Sequence, residues 1–280
     1  MKAILLLLFF ILGASCLELA GIDVSTYQKT IDWKTVAKSK KFAIIRAGYG
    51  KGTIDDYWEK NYKGAKAAGV KVGAYWYSYA NSVDAAKQEA KGFLKALEGK
   101  QLEWPVYYDI EENSIYTNNL HNDIAKAFCD IMQSHKYYCG IYSSSYPLTY
   151  NFNSDVKNKY TIWCAHYGVS KPSYTGPYDI WQTGYGNVNG VNGNCDLDIG
   201  YKDFEPIIKK GGYNGFGEGT IINPDPEDTS KECNGKTVNE IAIEVIQGKW
   251  GAGQERIKKL TDAGCDYDTI QREVNRILGN

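Results

Sequence analysis

Two acidic residues, Asp109 and Glu111, follow an apolar segment that begins at Trp104 and has the composition of a buried strand. Successive side chains alternate between the two faces of a strand, so both carboxyls are expected on one face, with Cα atoms roughly 6.5 Å apart. Glycosidases cleave sugar bonds with two carboxyls about 5 to 9.5 Å apart. The pair therefore indicates acid-catalysed cleavage of a glycosidic bond, with two solvated residues at a strand end as the alternative.

Two further acids occupy comparable positions, each beside a short apolar segment. Asp23 follows the segment that starts at Leu19, and Asp196 lies within Cys195-Asp-Leu-Asp198. Asp198 is the alternative to Asp196, because residues two apart share one face of a strand. The four acids are expected to gather at one end of a barrel, where the strands deliver their functional side chains.

Other side chains are candidates for holding a sugar beside these acids. Arg46 is expected to form a buried ion pair with Asp23 or another acid of the site. Glu112 is expected on the opposite face from Glu111, in a structural role. Aromatic rings offer flat apolar faces to sugars. The groove candidates, each with a core role as the alternative, are Tyr75, Tyr77, Tyr142, Trp163, Tyr167 and Trp181.

The order of apolar and amphipathic segments predicts the fold. Strand-like segments occur at 19–24, 42–48, 70–79, 104–110, 137–143, 160–166, 178–183 and 195–199, and helical patterns occur at 57–68, 83–97 and 119–134. Alternating strands and helices with fully apolar strands predict a parallel sheet, and about eight strands predict closure into a barrel. Because the last three strands are too close together for helices between them, the predicted α/β fold is an irregular (β/α) barrel.

The two ends of the chain differ from this barrel, which is expected over residues 17–210. Residues 1–16 have the features of a secretory signal peptide, and their apolar core is shorter than the ~20 residues of a membrane span. Residues 211–232, rich in Gly, Pro, Asn and Asp, are expected to be a linker. Residues 233–280 are predicted to form a three-helix bundle with a core of Ile241, Val245, Leu260, Ile270, Val274 and Ile277.

Composition excludes several classes of function. The formal net charge is −1, so electrostatic binding to nucleic acids or membranes is not expected. The chain has no C-x-x-C, and its three histidines show no ligand spacing beside cysteines, so neither a metal nor a cofactor is expected. Six cysteines follow the predicted signal peptide, which favours disulfide bonds in an exported protein, expected to be a monomer. The predicted pairs are Cys129 with Cys139, Cys164 with Cys195, and Cys233 with Cys265.

Seven segments in a fixed order carry a specific resemblance. They are Gly21-Ile-Asp-Val-Ser-Thr-Tyr-Gln28, Ile44-Ile-Arg-Ala-Gly-Tyr-Gly50, Gly73-Ala-Tyr-Trp-Tyr77, Tyr108-Asp-Ile-Glu111, Trp163-Cys-Ala-His-Tyr167, Ile180-Trp-Gln182 and Asp196-Leu-Asp198. From about Leu19 to Ile208 the chain resembles glycoside hydrolase family 25 lysozymes, the Chalaropsis-type muramidases. The segment from Ile241 to Leu278 is similar to a Cpl-7-like cell-wall-binding repeat, in which Trp250 either contacts peptidoglycan or packs in the core.

The resemblance implies a secreted, extracellular N-acetylmuramidase, or one in a lumenal digestive compartment, that acts on bacterial peptidoglycan. Glu111 would be its general acid, and Asp109 would orient the substrate's 2-acetamido group or stabilise the charge on the sugar ring. The negative charges of Asp23, Asp109 and Asp196 would raise the pKa of whichever carboxyl is least solvated and keep it protonated near neutral pH. The alternatives are a non-catalytic peptidoglycan-binding protein on the same barrel and a chitinase-like hydrolase. The second is disfavoured because the chain lacks the longer D-x-x-D-x-D-x-E motif.

Overall fold

The computed structural model describes residues 17–217, 236, 238–246, 248–251 and 253–278. The predicted signal peptide, most of the predicted linker, Cys233 and the side chain of Ile277 lie outside the described residues. Within the described ranges, no helix has both the length and the apolar character needed to cross a bilayer.

The strands of the described residues form one sheet that closes on itself. They are β1 (Leu19–Val24), β2 (Phe42–Tyr49), β3 (Thr53–Ile54), β4 (Lys71–Tyr77), β5 (Val106–Asp109), β6 (Cys139–Ser144), β7 (Thr161–Ala165), β8 (Ile180–Asn187) and β9 (Asn194–Gly200). β1 pairs with both β2 and β9, so eight strands close into a barrel. β3 only extends β2 as a short antiparallel partner. The predicted barrel of about eight strands is confirmed.

One strand makes the barrel irregular. Neighbouring strands from β1 through β2, β4, β5, β6 and β7 to β8 are parallel. In contrast, β9 is antiparallel to both of its neighbours. Residues 188–193, which join β8 to β9, are too few for the crossover that a parallel return requires. Short connections therefore produce the predicted irregularity, and the reversed direction of β9 is their consequence.

Helices pack around the strands in the first part of the chain. They are α1 (Trp33–Val36), α2 (Trp58–Ala67), α3 (Val83–Leu97), α4 (Asn113–Thr117), α5 (His121–Ser134), α6 (Ser145–Tyr150), α7 (Ser154–Lys159) and α8 (Phe204–Gly211). α2, α3 and α5 correspond to the three predicted helices. Ser82 caps α3 by accepting a hydrogen bond from the Ala85 N–H (3.1 Å), and the helix buries Ala86, Ala90 and Phe93.

Two hydrophobic clusters pack against the sheet. The larger cluster combines strand residues with α2, α3 and α5, whereas the smaller cluster, around Phe42 and Trp104, fills the barrel. The rings of Phe42 and Trp104 stack with centroids 3.6 Å apart. The interior has no spare room at Gly140, where a Cβ would lie 2.4 Å from the Thr161 carbonyl oxygen. Close packing of the barrel interior thus holds the strands in place below the open end of the barrel.

Three helices near the end of the chain have a hydrophobic core of their own. They are α9 (Val238–Ile246), α10 (Gly253–Asp262) and α11 (Tyr267–Leu278). The core contains the predicted residues Ile241, Val245, Leu260, Ile270 and Val274, together with Ala242 and Cys265. Trp250 is half-buried against this core, and its indole N–H donates to Glu244 Oε2 (3.1 Å). This placement agrees with the core role for Trp250.

The predicted disulfide pairs have three different outcomes. Cys129 on α5 and Cys139 on β6 are neighbours with Sγ atoms 3.0 Å apart, but both are free thiols. The predicted Cys164–Cys195 bond is wrong, because β8 separates β7 from β9 and both cysteines are free and buried. Cys265 is disulfide-bonded, and its predicted partner Cys233 lies outside the described residues.

Candidate active site

A cavity of about 230 Å³ opens where the parallel strands end. All eight barrel strands, or the residues directly after them, contribute to its wall. The lining residues are Asp23, Val24, Ser25, Tyr27, Gln28, Arg46, Tyr75, Tyr77, Asp109, Glu111, Tyr142, Trp163, Tyr167, Gln182 and Asp196. The structure thus brings together the four acids singled out from the sequence and six of the seven predicted substrate-binding residues.

The two acids after β5 reach the same cavity although the strand ends at Asp109. Ile110, between them, is fully buried in the cluster shared by strands and helices, so its neighbours face the opening. Asp109 is 5% exposed, whereas Glu111 as a residue is exposed at the mouth, although its carboxyl is partly enclosed by the cavity wall. Burial is the largest cause that raises the pKa of each carboxyl, and the charge of Glu111 raises the pKa of Asp109 further.

Asp23 is held by a glutamine that the sequence analysis did not select. Gln182 Nε2 donates to Asp23 Oδ2 (2.7 Å), and Gln182 Oε1 accepts from the hydroxyls of Tyr142 (2.7 Å) and Tyr167 (2.6 Å). The amide therefore links one acid to two aromatic residues of the wall. Alternation along β8 was the available signal, because Gln182 shares a face with the inward Ile180.

Asp196 and Asp198 have different surroundings. Asp196 pairs directly with Asp23 across β1 and β9 and lines the cavity. Asp198 is 2% exposed, does not line the cavity, accepts a hydrogen bond from the Trp163 indole N–H (2.9 Å) and shares a hydrogen bond with Asp23. Burial raises the pKa of Asp198 to about 7 and, with the charges of Asp198 and Asp196, raises the pKa of Asp23. The choice of Asp196 over Asp198 thus agrees with the geometry.

Arg46 forms a buried ion pair, as expected from the sequence, but its partner is Asp55 and not Asp23. Its Nε donates to Asp55 Oδ2 (2.8 Å), a buried carboxylate that also accepts from the N–H groups of Thr26 (3.0 Å) and Tyr57 (2.9 Å). Asp55 follows β3 and reaches Arg46 because that short strand folds back on β2. The guanidinium still lines the cavity, and its charge opposes the rise in the pKa of Asp109.

The aromatic residues divide into a buried floor and an accessible edge. Tyr75, Tyr142 and Trp163 are buried, and the Tyr142 and Trp163 rings meet edge to face with centroids 4.6 Å apart. Tyr167 and Tyr27 are exposed at the opening, and Tyr27 was not selected from the sequence. Exposed rings are the ones that can contact a sugar directly.

Trp181 does not line the cavity, so its predicted role in the groove is wrong. It follows the inward Ile180 on β8, and alternation turns its ring to the other face of the sheet. Its indole N–H donates to the His166 carbonyl oxygen (2.9 Å), and the residue is 7% exposed. The hydrogen bond ties the segment after β7 to β8, which is a structural role.

Glu112 lies nearer the site than expected. The Tyr77 hydroxyl donates to Glu112 Oε1 (2.7 Å), and the charge of Glu112 adds to the rise in the pKa of Glu111. The expected opposite face required continued strand alternation, but β5 ends at Asp109. Glu112 therefore positions Tyr77 at the edge of the cavity without lining the cavity itself.

A second cavity, of about 550 Å³, adjoins the first. The two share Glu111, Tyr142 and Tyr167, and the second adds Ser144, Ser145, Tyr146, Ala165, His166 and Ser173. Glu111 thus stands on the boundary, with the buried acids on one side and hydroxyl-bearing residues on the other. Across the part of the chain that the structure describes, no group of three or more His, Cys, Asp and Glu residues is arranged to hold a metal ion.

Comparisons with known proteins identify the family of the chain. The family model for glycosyl hydrolases family 25 matches residues 22–191, and the model for the CW_7 repeat matches residues 239–278. An autolytic lysozyme of Clostridium acetobutylicum is 31% identical over 180 residues, which are 64% of this chain and 54% of that protein. The solved CTP1L endolysin is 28% identical with a TM-score of 0.60, over 68% of this chain and 69% of its own.

The chain is also similar to a protein whose structure was solved with a bound ligand. The autolysin LytC of Streptococcus pneumoniae, in complex with a synthetic peptidoglycan ligand, is 25% identical with a TM-score of 0.58. The match covers 65% of this chain and 46% of LytC. The chain therefore belongs to glycosyl hydrolases family 25, is a glycoside hydrolase, and carries a CW_7 repeat after its barrel.

Proposed function

We propose that the chain is a secreted N-acetylmuramidase, a lysozyme that cleaves the β-1,4 bond between N-acetylmuramic acid and N-acetylglucosamine in bacterial peptidoglycan. The observation that carries the proposal is the position of Glu111 on the boundary between two cavities, with Asp109 on the buried side. The names of two relatives, an autolytic lysozyme and lysozyme M1 of Streptomyces globisporus, support this substrate.

Glu111 is the general acid of the proposed reaction. Bond cleavage needs a carboxyl that still holds its proton near neutral pH, so that it can protonate the leaving glycosidic oxygen. Burial raises the pKa of Glu111, and the charges of Glu112 and Asp196 raise it further, against the opposing effect of the Tyr77 hydroxyl. Its exposed position at the mouth gives the carboxyl access to a bound glycan.

Asp109 stabilises the positive charge that develops on the sugar ring. Its Oδ1 is buried and makes no hydrogen bond to the described residues, so the carboxyl keeps an unused acceptor beside the cavity. Burial and the charge of Glu111 raise the pKa of Asp109, and the charge of Arg46 opposes that rise and favours the ionised form that this role requires. Different neighbours thus assign the two carboxyls different roles.

The position of the acid also divides the glycan between the two cavities. The sugar that becomes positively charged occupies the first cavity, beside Asp109 and Asp23. The sugar that leaves with the proton from Glu111 occupies the second cavity, next to the exposed ring of Tyr146. A stacked aromatic ring and several hydroxyls suit an N-acetylhexosamine, which has an apolar face and a polar edge.

The remaining features fit an enzyme that works on a bacterial wall. The CW_7 repeat would hold the chain on peptidoglycan while the barrel hydrolyses it, and no second subunit is needed because one chain supplies all the acids. Export follows from the predicted signal peptide and from a substrate that lies outside cells. The enzyme would then act in the extracellular space or in a lumenal digestive compartment.

Analysis of the reducing ends of digested peptidoglycan tests the proposal. Purified walls are incubated with the enzyme, the new reducing ends are reduced with borohydride, and the resulting amino sugar alcohols are identified. A muramidase yields reduced N-acetylmuramic acid. New ends made of N-acetylglucosamine would refute the assigned bond. Binding to the walls without any new reducing ends would indicate a non-catalytic peptidoglycan-binding protein.

A further inference from the structure

Three hydrogen bonds at Ile110 hold the backbone between the two central acids. The carbonyl oxygen of Ile110 accepts hydrogen bonds from Ser143 Oγ (2.8 Å) and from the Tyr116 hydroxyl (2.5 Å). The N–H of Ile110 donates to the carbonyl oxygen of Tyr142 (3.0 Å). The chain between Asp109 and Glu111 is therefore fixed at the end of β5 by one backbone hydrogen bond to β6 and by two side-chain hydroxyls.

The two hydroxyls depend on each other. They lie 2.6 Å apart, so three short contacts join Tyr116, Ser143 and the Ile110 carbonyl. Each hydroxyl has one proton to donate, and two protons serve three contacts. One hydroxyl therefore donates to the carbonyl and the other donates either to the carbonyl or to its neighbour. Loss of either group leaves the carbonyl with one side-chain donor, and loss of both leaves it with none.

Neither hydroxyl belongs to the site that contacts substrate. Ser143 is fully buried on β6, and Tyr116 on α4 packs its ring against His121 (5.3 Å) and Phe152 (6.2 Å between centroids). Both residues are absent from the walls of the two cavities. Burial raises the pKa of Tyr116, and Asp109 and Glu111 raise it further, which keeps the phenol protonated as a donor.

We propose that Tyr116 and Ser143 are positioning residues that set the direction of the Glu111 carboxyl relative to Asp109. Rotation at Ile110 would swing Glu111 away from the boundary between the cavities, and a carbonyl held by two hydroxyls resists that rotation. Misplacement of a catalytic group by about 1 Å is enough to cost about 100-fold in rate. The inference rests on the proposed role of Glu111 as the general acid.

Isosteric removal of each hydroxyl tests the inference. The variants Tyr116→Phe, Ser143→Ala and the double variant are compared with the parent for kcat, KM and the pH profile of kcat/KM on soluble peptidoglycan fragments. We expect each single change to lower kcat by about tenfold with little change in KM. The double variant should lose more than either single variant, because it alone leaves the Ile110 carbonyl without a side-chain donor. The alkaline limb of the profile should also shift, because a displaced Glu111 has different neighbours.

Tyr160→Phe is the matched control, since that buried tyrosine donates its hydroxyl to Asp130 (2.7 Å) away from both cavities. It should keep the kcat and pH profile of the parent. The same behaviour in Tyr116→Phe and in the folded Ser143→Ala would overturn the inference. Full activity of Glu111→Gln would instead refute the general acid itself, so the two failures are distinguishable.

Discussion

The acids of the cavity favour their protonated forms because they share a small buried volume. Burial raises the pKa of Asp23, Asp109 and Asp198, and the nearby carboxylates raise it further. Such a group binds a proton more tightly in the folded protein than in the unfolded chain. The stability that it contributes is present at low pH and is lost as the pH rises through its folded pKa. The cluster therefore favours acid catalysis and lowers stability near neutral pH.

The loss of stability near neutral pH can be measured at Asp198, which does not line the cavity. We expect Asp198→Asn to be more stable than the parent at about pH 7.5, by up to about 4 kcal/mol, and to differ much less at about pH 4. The reason is that the pKa of Asp198 rises to about 7 in the folded protein, whereas Asn carries no charge and still accepts from Trp163. Urea unfolding at the two pH values gives the difference. An equal difference at both pH values would contradict the proposed cause.

The sequence predicted the residues of the site where a charged residue follows an apolar strand segment. Asp109, Glu111 and Asp23 stand out in the sequence because acids seldom end apolar strands, and all three reach the cavity. Gln182 and Asp55 were missed for different reasons. Gln182 carries no charge to mark it, and Asp55 becomes a partner of Arg46 only when the β2–β3 hairpin has formed.

At the scale of elements, strand positions follow from hydrophobic patterns, but strand order does not. Each of the eight apolar segments corresponds to a barrel strand. Segment spacing indicated an irregular barrel, and the short connection from β8 sets the antiparallel direction of β9, but the pairing of β1 with both β2 and β9 arises only when the sheet closes. The wrong Cys164–Cys195 pair has the same origin, because β8 separates the two strands. Contacts between distant segments are set by closure, which local patterns do not encode.

Closure of the barrel also makes Gly140 on β6 sensitive to the smallest side chain. We expect Gly140→Ala to lower the free energy of unfolding by about 1 to 3 kcal/mol or more, because an added Cβ meets the Thr161 backbone and the Tyr107 ring within 2.6 Å. Thermal unfolding measures the change. Gly186→Ala is the control, since its Cβ would meet only Leu197 at 3.4 Å. Equal melting temperatures for the two variants would argue against the tight interior at β6.

At the scale of the whole molecule, the chain combines a catalytic barrel with a CW_7 repeat. The three C-terminal helices bury their own core, and the described residues of that core are aliphatic or cysteine, with Trp250 packed against it. A repeat with this much internal packing is suited to attach the enzyme to an insoluble wall. Hydrolysis and attachment should then be separable.

Removal of residues 233–280 is expected to separate the two activities. The shortened chain should lose about tenfold or more of its binding to insoluble peptidoglycan, since a second attachment point raises the effective concentration of the first. Its kcat on soluble fragments should stay close to that of the parent, because the cavity residues all belong to the barrel. Co-sedimentation with purified walls measures the first effect and release of reducing sugar measures the second. An equal loss in both assays would show that the repeat supports the barrel itself.

The most direct measurement for the account as a whole compares Glu111→Gln with Glu112→Gln on purified peptidoglycan. Each change removes one carboxyl and keeps its shape, but only Glu111 lines the two cavities. Loss of the general acid predicts that Glu111→Gln releases new reducing ends about 100-fold or more slowly than the parent, whereas Glu112→Gln keeps most of the rate. A Glu111→Gln variant that digests peptidoglycan as fast as the parent would contradict the account.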